Sequence, residues 1–142
     1  MVTYASEPPP TSKVNYKSEE PSISDIKVIG QIIKKIIIKI NNANPIIHLF
    51  VKKHPTENNN FMEGFWSSLG KNHTIIKDYS PILLMQASDI VIGISSMFLL
   101  ESTAIGKVTA TFKLKNNENT KILHKSGLHV INNKIELLSF IN

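Results

Sequence analysis

The sequence predicts an α/β fold, in which a single domain contains one open, mostly parallel sheet of about six strands with helices on both faces. Short apolar stretches alternate with stretches of helical periodicity, at the spacing of right-handed βαβ units. Several apolar stretches are nearly continuous, as in strands that are covered on both faces. The length of 142 residues fits one domain, and we assign residues 1–142 to it.

The first part of the chain contains the clearest helix. A short strand at Val2–Ala5 ends at three consecutive prolines, and the polar stretch after it predicts a mobile loop over residues 8–21. Ser22, followed three residues later by Asp25, resembles a helix cap. The helix that follows carries isoleucines at steps of three and four residues, which indicates one buried face: Ile26, Ile29, Ile32, Ile33, Ile36, Ile37 and Ile40.

Strands and shorter helices alternate through the middle of the chain. The stretch NNANP ends the long helix, and IIHLFVKK predicts a strand buried on both faces. A helix over Phe61–Leu69 precedes a short strand, HTIIK. Ser80 and Pro81 are typical of the cap and first residue of a helix, here PILLMQA.

The last part of the chain completes a Rossmann-like, three-layer arrangement. DIVIGI predicts another buried strand, and the helix after Ser96 ends at Gly106, a residue suited to a left-handed cap. KVTATF and GLHVI predict two further strands, separated by a loop rich in lysine and asparagine. A short helix over Lys134–Phe140 ends the domain.

The net charge allows an anionic partner, but the kind of basic residue argues against specific recognition of nucleic acid. The formal net charge is +5, which suits nucleic acid or a phosphorylated small molecule. All 16 basic residues are lysine, and arginine is the residue that recognises guanine and phosphate with two hydrogen bonds, so we expect no specific nucleic-acid partner. An AT-rich coding sequence, which favours Ile, Lys and Asn, explains the basic composition equally well.

Other chemistries are excluded or disfavoured by composition. The chain has no cysteine, which excludes disulfides, thiolate zinc sites and cysteine nucleophiles. The histidines have no spacing suited to a metal site, so no metal ligand is predicted. Neither a bilayer-spanning apolar stretch nor a secretory signal is recognisable, and we expect a cytoplasmic protein without a membrane span.

Polar residues follow the predicted strands at their carboxyl ends. Ligands bind at that edge of open parallel sheets. The residues concerned are Ser6 and Glu7 after the first strand, Lys53, His54 and Glu57 after the second, Asp78 and Tyr79 after the third, and Ser95 and Ser96 after the fourth. We expect them to gather on one rim of the sheet.

The serine pair precedes a predicted helix. A helix beginning near Ser96 or Met97 directs backbone N–H groups and its positive dipole end at the rim, which suits a phosphate or diphosphate. Glu101 follows about one turn later among apolar residues, where a carboxylate could accept both hydroxyls of a ribose. The pattern indicates a nucleotide. The simpler alternative is an ordinary serine cap and a solvated glutamate.

Histidine and tryptophan leave further alternatives open. His54 could hydrogen-bond a phosphate, act as an acid or base, or simply occupy the turn before Pro55. His48 lies within a predicted strand and is expected to be a core or edge residue. Trp66 falls among other apolar residues and is expected to pack a helix rather than bind a ligand.

Three stretches together resemble a known family. LFVKKHPTE, followed about 30 residues later by ASDIVIGISSMFLLESTAIGK, resembles the carboxyl-terminal, donor-binding domain of GT-B glycosyltransferases of the capsule and surface-polysaccharide type. The same stretches are similar to UDP-N-acetylglucosamine 2-epimerases, which share that fold. The opening VTYASEP resembles the first strand of such domains, so the resemblance covers nearly the whole chain.

The resemblance implies a binding site for a nucleotide diphosphate sugar as substrate, with no separate cofactor. It implies that Ser95, Ser96 and the amides from Met97 onward hold the diphosphate, that Glu101 holds the ribose, and that His54 is a catalytic residue near the donor phosphates. Ser6 and Glu7 belong to the tripeptide Ser-Glu-Pro that follows the first strand, and the resemblance assigns them to the same site. Epimerases have a glycine pair where this chain has Ser96 and Met97, which favours the polysaccharide enzymes.

GT-B enzymes also use an amino-terminal Rossmann-like domain that binds the acceptor, and this chain resembles only the second domain. We therefore expect a glycosyltransferase-like domain for surface polysaccharide synthesis that is inactive in isolation. It could be a fragment, a truncated gene product, or one subunit of a split enzyme with an acceptor-domain protein as its partner. The alternative is a noncatalytic, basic α/β module that binds nucleic acid or a protein partner.

Overall fold

A computed structural model of the protein describes residues 1–6, 23–43, 47–55, 63–113 and 126–141. Strands β1 to β6 in chain order are Val2–Ala5, Leu49–Lys52, His73–Ile76, Ile90–Gly93, Val108–Phe112 and His129–Ile131. Helices α1 to α5 are Ile23–Ala43, Glu63–Trp66, Pro81–Ala87, Met97–Ala104 and Lys134–Ile141, and a 3₁₀ helix at Ser67–Asn72 follows α2. The predicted loop over 8–21 and the cap at Ser22 lie outside the described residues.

The six strands form one sheet in the order β3-β2-β1-β4-β5-β6. Every neighbouring pair of described strands is parallel, which confirms the predicted α/β class and sheet. The chain builds the sheet outward from β1 in one direction through β3 and then returns to build it in the other direction from β4. Strand order therefore reverses at β1, and the carboxyl ends of β1 and β4 border the crevice where sheets of this topology bind ligands.

One face of the sheet is covered by α1, α2 and α5. The isoleucine face predicted for α1 is confirmed, because Ile26, Ile33, Ile36 and Ile37 have no exposed surface and pack in one cluster with apolar residues of β1, β2 and α5. Burial of one such side chain contributes about 1.5–3 kcal/mol. This cluster is the larger of the two that hold the domain together, and it fixes α1 against the sheet.

The other face is covered by α3 and α4. Leu84 and Met85 of α3 pack with Phe98 and Leu99 of α4 in a second apolar cluster that includes Ala5 at the end of β1. Buried hydroxyl groups join this layer to the sheet: Ser88 Oγ donates to the carbonyl of Leu84 at 2.6 Å and accepts from Thr3 Oγ1 at 2.7 Å. These contacts set the position of α3 and α4 relative to β1.

The region around Trp66 differs in detail from its prediction. A single helix was expected over Phe61–Leu69, but the chain leaves α2 after Trp66 and tightens into the 3₁₀ helix, within which Gly70 adopts a positive φ of 54°. Trp66 is 1% exposed and its ring centroid lies 5.7 Å from that of Tyr4, so the predicted packing role is confirmed. His48 likewise has structural contacts, with Nε2 at 2.8 Å from Thr74 Oγ1.

Among the described helices, none combines the length and the apolar character that crossing a membrane requires. Even α1, with 21 residues, carries lysines along its solvent-exposed side at Lys27, Lys35 and Lys39.

The close approach of β4, β1 and α4 at Gly93 gives a testable prediction. A Cβ at this position would lie 3.1 Å from Leu99 Cδ2 and 3.3 Å from the backbone oxygen of Ala5. Because that oxygen belongs to the central strand and cannot move freely, Gly93→Ala should lower the free energy of unfolding by about 1–3 kcal/mol in urea denaturation.

Gly64→Ala is the matched control for this substitution. Gly64 lies in α2, and a Cβ there meets no atom within 4 Å, so alanine should leave stability unchanged or raise it by up to about 1 kcal/mol. If Gly93→Ala were as stable as the wild type, the sheet and α4 would be less closely packed than the distances at Gly93 indicate.

Candidate functional site

A cleft of about 350 Å³ opens beside the start of α4. Its lining comes from the end of β2 and the turn after it, the start of α3, and the segment from the end of β4 into α4: Lys52, His54, Pro55, Pro81, Ser95, Ser96, Met97, Phe98 and Glu101. These segments are distant in sequence and meet because parallel strands end at the same edge of the sheet. The structure thus brings five residues of the predicted site together, namely His54, Ser95, Ser96, Met97 and Glu101.

Of the two remaining predicted residues, Ser6 is not among the described residues that line the cleft. Ser6 is 5% exposed and its backbone N–H donates to the carbonyl of Lys52 at 2.9 Å, which extends the pairing of β1 with β2 by one residue. Glu7, like Glu57, lies outside the described residues. Asp78 and Tyr79 form an exposed turn before α3 and are absent from the cleft.

Ser96 is the N-cap of α4, as one interpretation of the sequence predicted. Its backbone is extended, with φ −65° and ψ 138°, and its Oγ accepts the N–H of Phe98 at 3.3 Å. Its carbonyl accepts the N–H of Leu99 at 3.0 Å. A hydroxyl that accepts through oxygen still carries a proton to donate, so the cap does not prevent Ser96 from donating to an anion in the cleft.

The start of α4 gives the cleft a positive electrostatic character. The N-terminus of a helix carries the equivalent of roughly half a positive charge, and α4 begins at Met97 in the cleft wall. Lys52 and His54 line the same space, whereas Glu101 is one turn further along the helix. An anion therefore fits best beside the serines, and hydroxyl donors fit best beside Glu101.

A second cavity, a groove of about 660 Å³, runs between α3 and α4. Its lining is mainly apolar: Ser80, Pro81, Ile82, Met85, Gln86, Glu101, Ala104, Ile105 and Lys107. The groove and the cleft share Pro81 and Glu101, so the two cavities adjoin and Glu101 lies where they meet. At the far end, Lys107 Nζ donates to the carbonyl of Gln86 at 2.7 Å and links α3 to the start of β5.

Sequence reasoning missed the groove and the position of Lys52 in the cleft. The groove is lined by exposed apolar residues, since Ile82 is 62% exposed and Ile105 is 52% exposed beside it. Lys53 was assigned to the rim, but Lys53 is buried and Lys52 lines the cleft. Strand alternation was the available signal, and it was hidden because IIHLFVKK was interpreted as apolar on both faces.

Within the described residues, histidine and acidic side chains form no group of three or more that could hold a metal ion. The serines, Lys52 and the start of α4 can support hydrogen bonding and electrostatic stabilisation of an anion, with an apolar surface beside them.

The cap at Ser96 gives a prediction about stability. Ser96→Ala removes the acceptor for the N–H of Phe98 and should lower the free energy of unfolding by about 0.5–2 kcal/mol. Ser96→Asn supplies another good cap and should remain within a few tenths of a kcal/mol of the wild type. Urea denaturation of both variants measures the difference, and equal stability of Ser96→Ala and Ser96→Asn would contradict the cap.

Comparisons with known proteins add the following. No protein-family model matches the chain, and no curated protein sequence matches it. Among solved structures, the chain is similar to KpsC of Thermosulfurimonas dismutans, a beta Kdo 2,4 transferase, with 14% identity and a TM-score of 0.47. The match covers 98% of this chain but 43% of that chain, so this chain spans less than half the length of that protein.

Proposed function

We propose that the chain is the nucleotide-diphosphate-sugar-binding domain of a GT-B-like glycosyltransferase that acts in surface polysaccharide synthesis. The observation that supports this most strongly is the junction of two cavities at Glu101, beside the point where the strand order reverses. One cavity favours an anion and the other an apolar group, and a nucleotide contains both, joined by a sugar with two hydroxyls.

The diphosphate lies at the start of α4 in this proposal. Ser95 and Ser96 donate hydroxyl hydrogen bonds to it, and the dipole of α4 adds a favourable field. Transfer of the sugar leaves negative charge on the departing diphosphate, and fixed donors stabilise this developing charge without having to reorganise. His54 lines the same cleft and assists at the phosphates.

The nucleoside extends from the cleft into the groove. Glu101 accepts hydrogen bonds from the ribose hydroxyls at the junction of the two cavities. The base then lies among apolar residues such as Ile82, Met85 and Ile105. The groove volume of about 660 Å³ is within the usual range for small-ligand sites.

Catalysis requires a second wall. An acceptor sugar must be oriented and water excluded before transfer is efficient. We propose that an acceptor-binding domain, in the same protein or in a partner, supplies that wall. The isolated chain then binds the donor without transferring sugar.

The prediction that tests this function concerns Glu101. Calorimetric titration with UDP, CDP, GDP and their common sugar conjugates should show saturable binding of one nucleotide. Glu101→Ala should weaken that binding at least about tenfold, because charge-assisted hydrogen bonds to the ribose are lost. The wild type should also prefer the ribonucleotide to its 2′-deoxy form, and Glu101→Ala should lose this preference.

A different binding behaviour would favour the alternative function, a noncatalytic basic α/β module that binds nucleic acid. The exposed lysines of α1, Lys27, Lys35 and Lys39, offer nucleic acid a basic surface far from Glu101 in the fold. Binding of nucleic acid there would fall steeply with salt and would not change in Glu101→Ala. Absence of nucleotide binding together with that response would replace the proposed function by a binding module.

A second prediction separates the cap at Ser96 from the phosphate site. Ser96→Asp and Ser96→Asn both keep a good N-cap, so both should fold with near wild-type stability. Aspartate places a negative charge where the diphosphate binds, and its nucleotide affinity should fall at least about tenfold below that of the asparagine variant. Equal affinities of the two variants in calorimetry would exclude a phosphate at this position.

A further inference from the structure

Lys52 is brought to the cleft by the alternation of side chains along β2. Leu49 and Val51 belong to the apolar cluster beneath α1, whereas Phe50 packs against the cluster beneath α3 and α4. Successive side chains of a strand point to opposite faces. Lys52, the last residue of β2, therefore follows Phe50 to the side of α4, where it lines the cleft.

The ring of Phe98 lies close to the ammonium group of Lys52. Lys52 Nζ is 5.2 Å from the centroid of the Phe98 ring, within the range of a cation–π interaction. Phe98 is 4% exposed, and its backbone is fixed because its N–H donates to Ser96 Oγ and its carbonyl accepts from Ser102 Oγ at 2.6 Å. The ring thus holds the charge of Lys52 near the first turn of α4.

An aromatic ring orients a cation in a different way from a carboxylate. It attracts the ammonium group through its electron-rich face. The cleft wall therefore combines a positioned lysine, the hydroxyl groups of Ser95 and Ser96 and the start of α4. Lysine is a common point-charge ligand of phosphate in such surroundings.

We propose that Lys52 is a phosphate-binding residue of this cleft and that Phe98 is its positioning residue. The proposal rests on the proposed function and deepens it, because it predicts which part of the ligand Lys52 recognises. Lys52 should contribute to affinity for the phosphates and not for the nucleoside. Lys53 is not assigned this role, since it is 6% exposed and follows Val51 by strand alternation.

The test compares Lys52→Met, Lys52→Arg and the matched control Lys71→Met. Lys71 is an exposed lysine in the 3₁₀ helix before β3, at the opposite end of that strand from the cleft, so its loss changes net charge equally without reaching the site. Each protein is titrated calorimetrically with whichever of UDP, CDP or GDP the wild type binds, and with the corresponding uncharged nucleoside. Urea denaturation of each variant checks the fold.

The expected result is a loss of affinity for the nucleoside diphosphate without a loss of affinity for the nucleoside. Lys52→Met should weaken diphosphate binding about 10- to 100-fold and leave nucleoside binding within about twofold. Lys52→Arg should retain most of the affinity, and Lys71→Met should match the wild type. Phe98→Leu should weaken diphosphate binding only a few-fold and add no further loss when combined with Lys52→Met, because it acts through that lysine.

Failures of the two proposals can be told apart. If the wild type binds a nucleoside diphosphate and Lys52→Met binds it equally well, the role of Lys52 is wrong and the proposed function stands. Equal loss of diphosphate and nucleoside affinity in Lys52→Met also overturns the assignment, because it indicates damage to the whole site. If the wild type binds none of the three nucleotides, the proposed function and the role of Lys52 both fail.

Discussion

The reversal of strand order at β1 is the constraint on which the rest of the structure depends. The four residues of β1 are all buried, and the strand pairs with β2 on one side and β4 on the other. The carboxyl ends of β2 and β4 lie at the same edge of the sheet, on either side of that strand. A cleft between Lys52 on one side and Ser96 on the other is the direct result.

Close packing at the end of β4 places α4 at this cleft. Gly93 lets Leu99 of α4 and the backbone of β1 both come close to β4, and Ser96 caps the helix three residues after Gly93. A short connection and a small residue together bring the positive end of α4 over the crevice. The same packing buries Phe98, whose ring contacts Lys52 in the cleft. A residue of the apolar core therefore also contributes to the electrostatics of the site.

How much of this structure the sequence predicted depends on how far apart in the chain the interacting residues lie. The isoleucine face of α1 and the cap at Ser96 depend on residues within a few positions of each other, and both were predictable. The groove between α3 and α4 depends on how two helices separated by a strand pack on the sheet. Lys52 was missed because its orientation depends on where β2 ends, and Trp66 lies at a break between α2 and a 3₁₀ helix that no local signal indicated.

The measurement that tests the account most directly is a two-dimensional ¹H–¹⁵N correlation spectrum of the labelled chain, recorded while a nucleoside diphosphate is added. The account predicts that the largest shifts occur at the amides of residues 95–99 and 52–54, with smaller ones along the groove. Saturating shifts confined to α1, or unchanged amides at the start of α4 with UDP, CDP and GDP at millimolar concentration, would contradict a nucleotide site at the β1–β4 crevice.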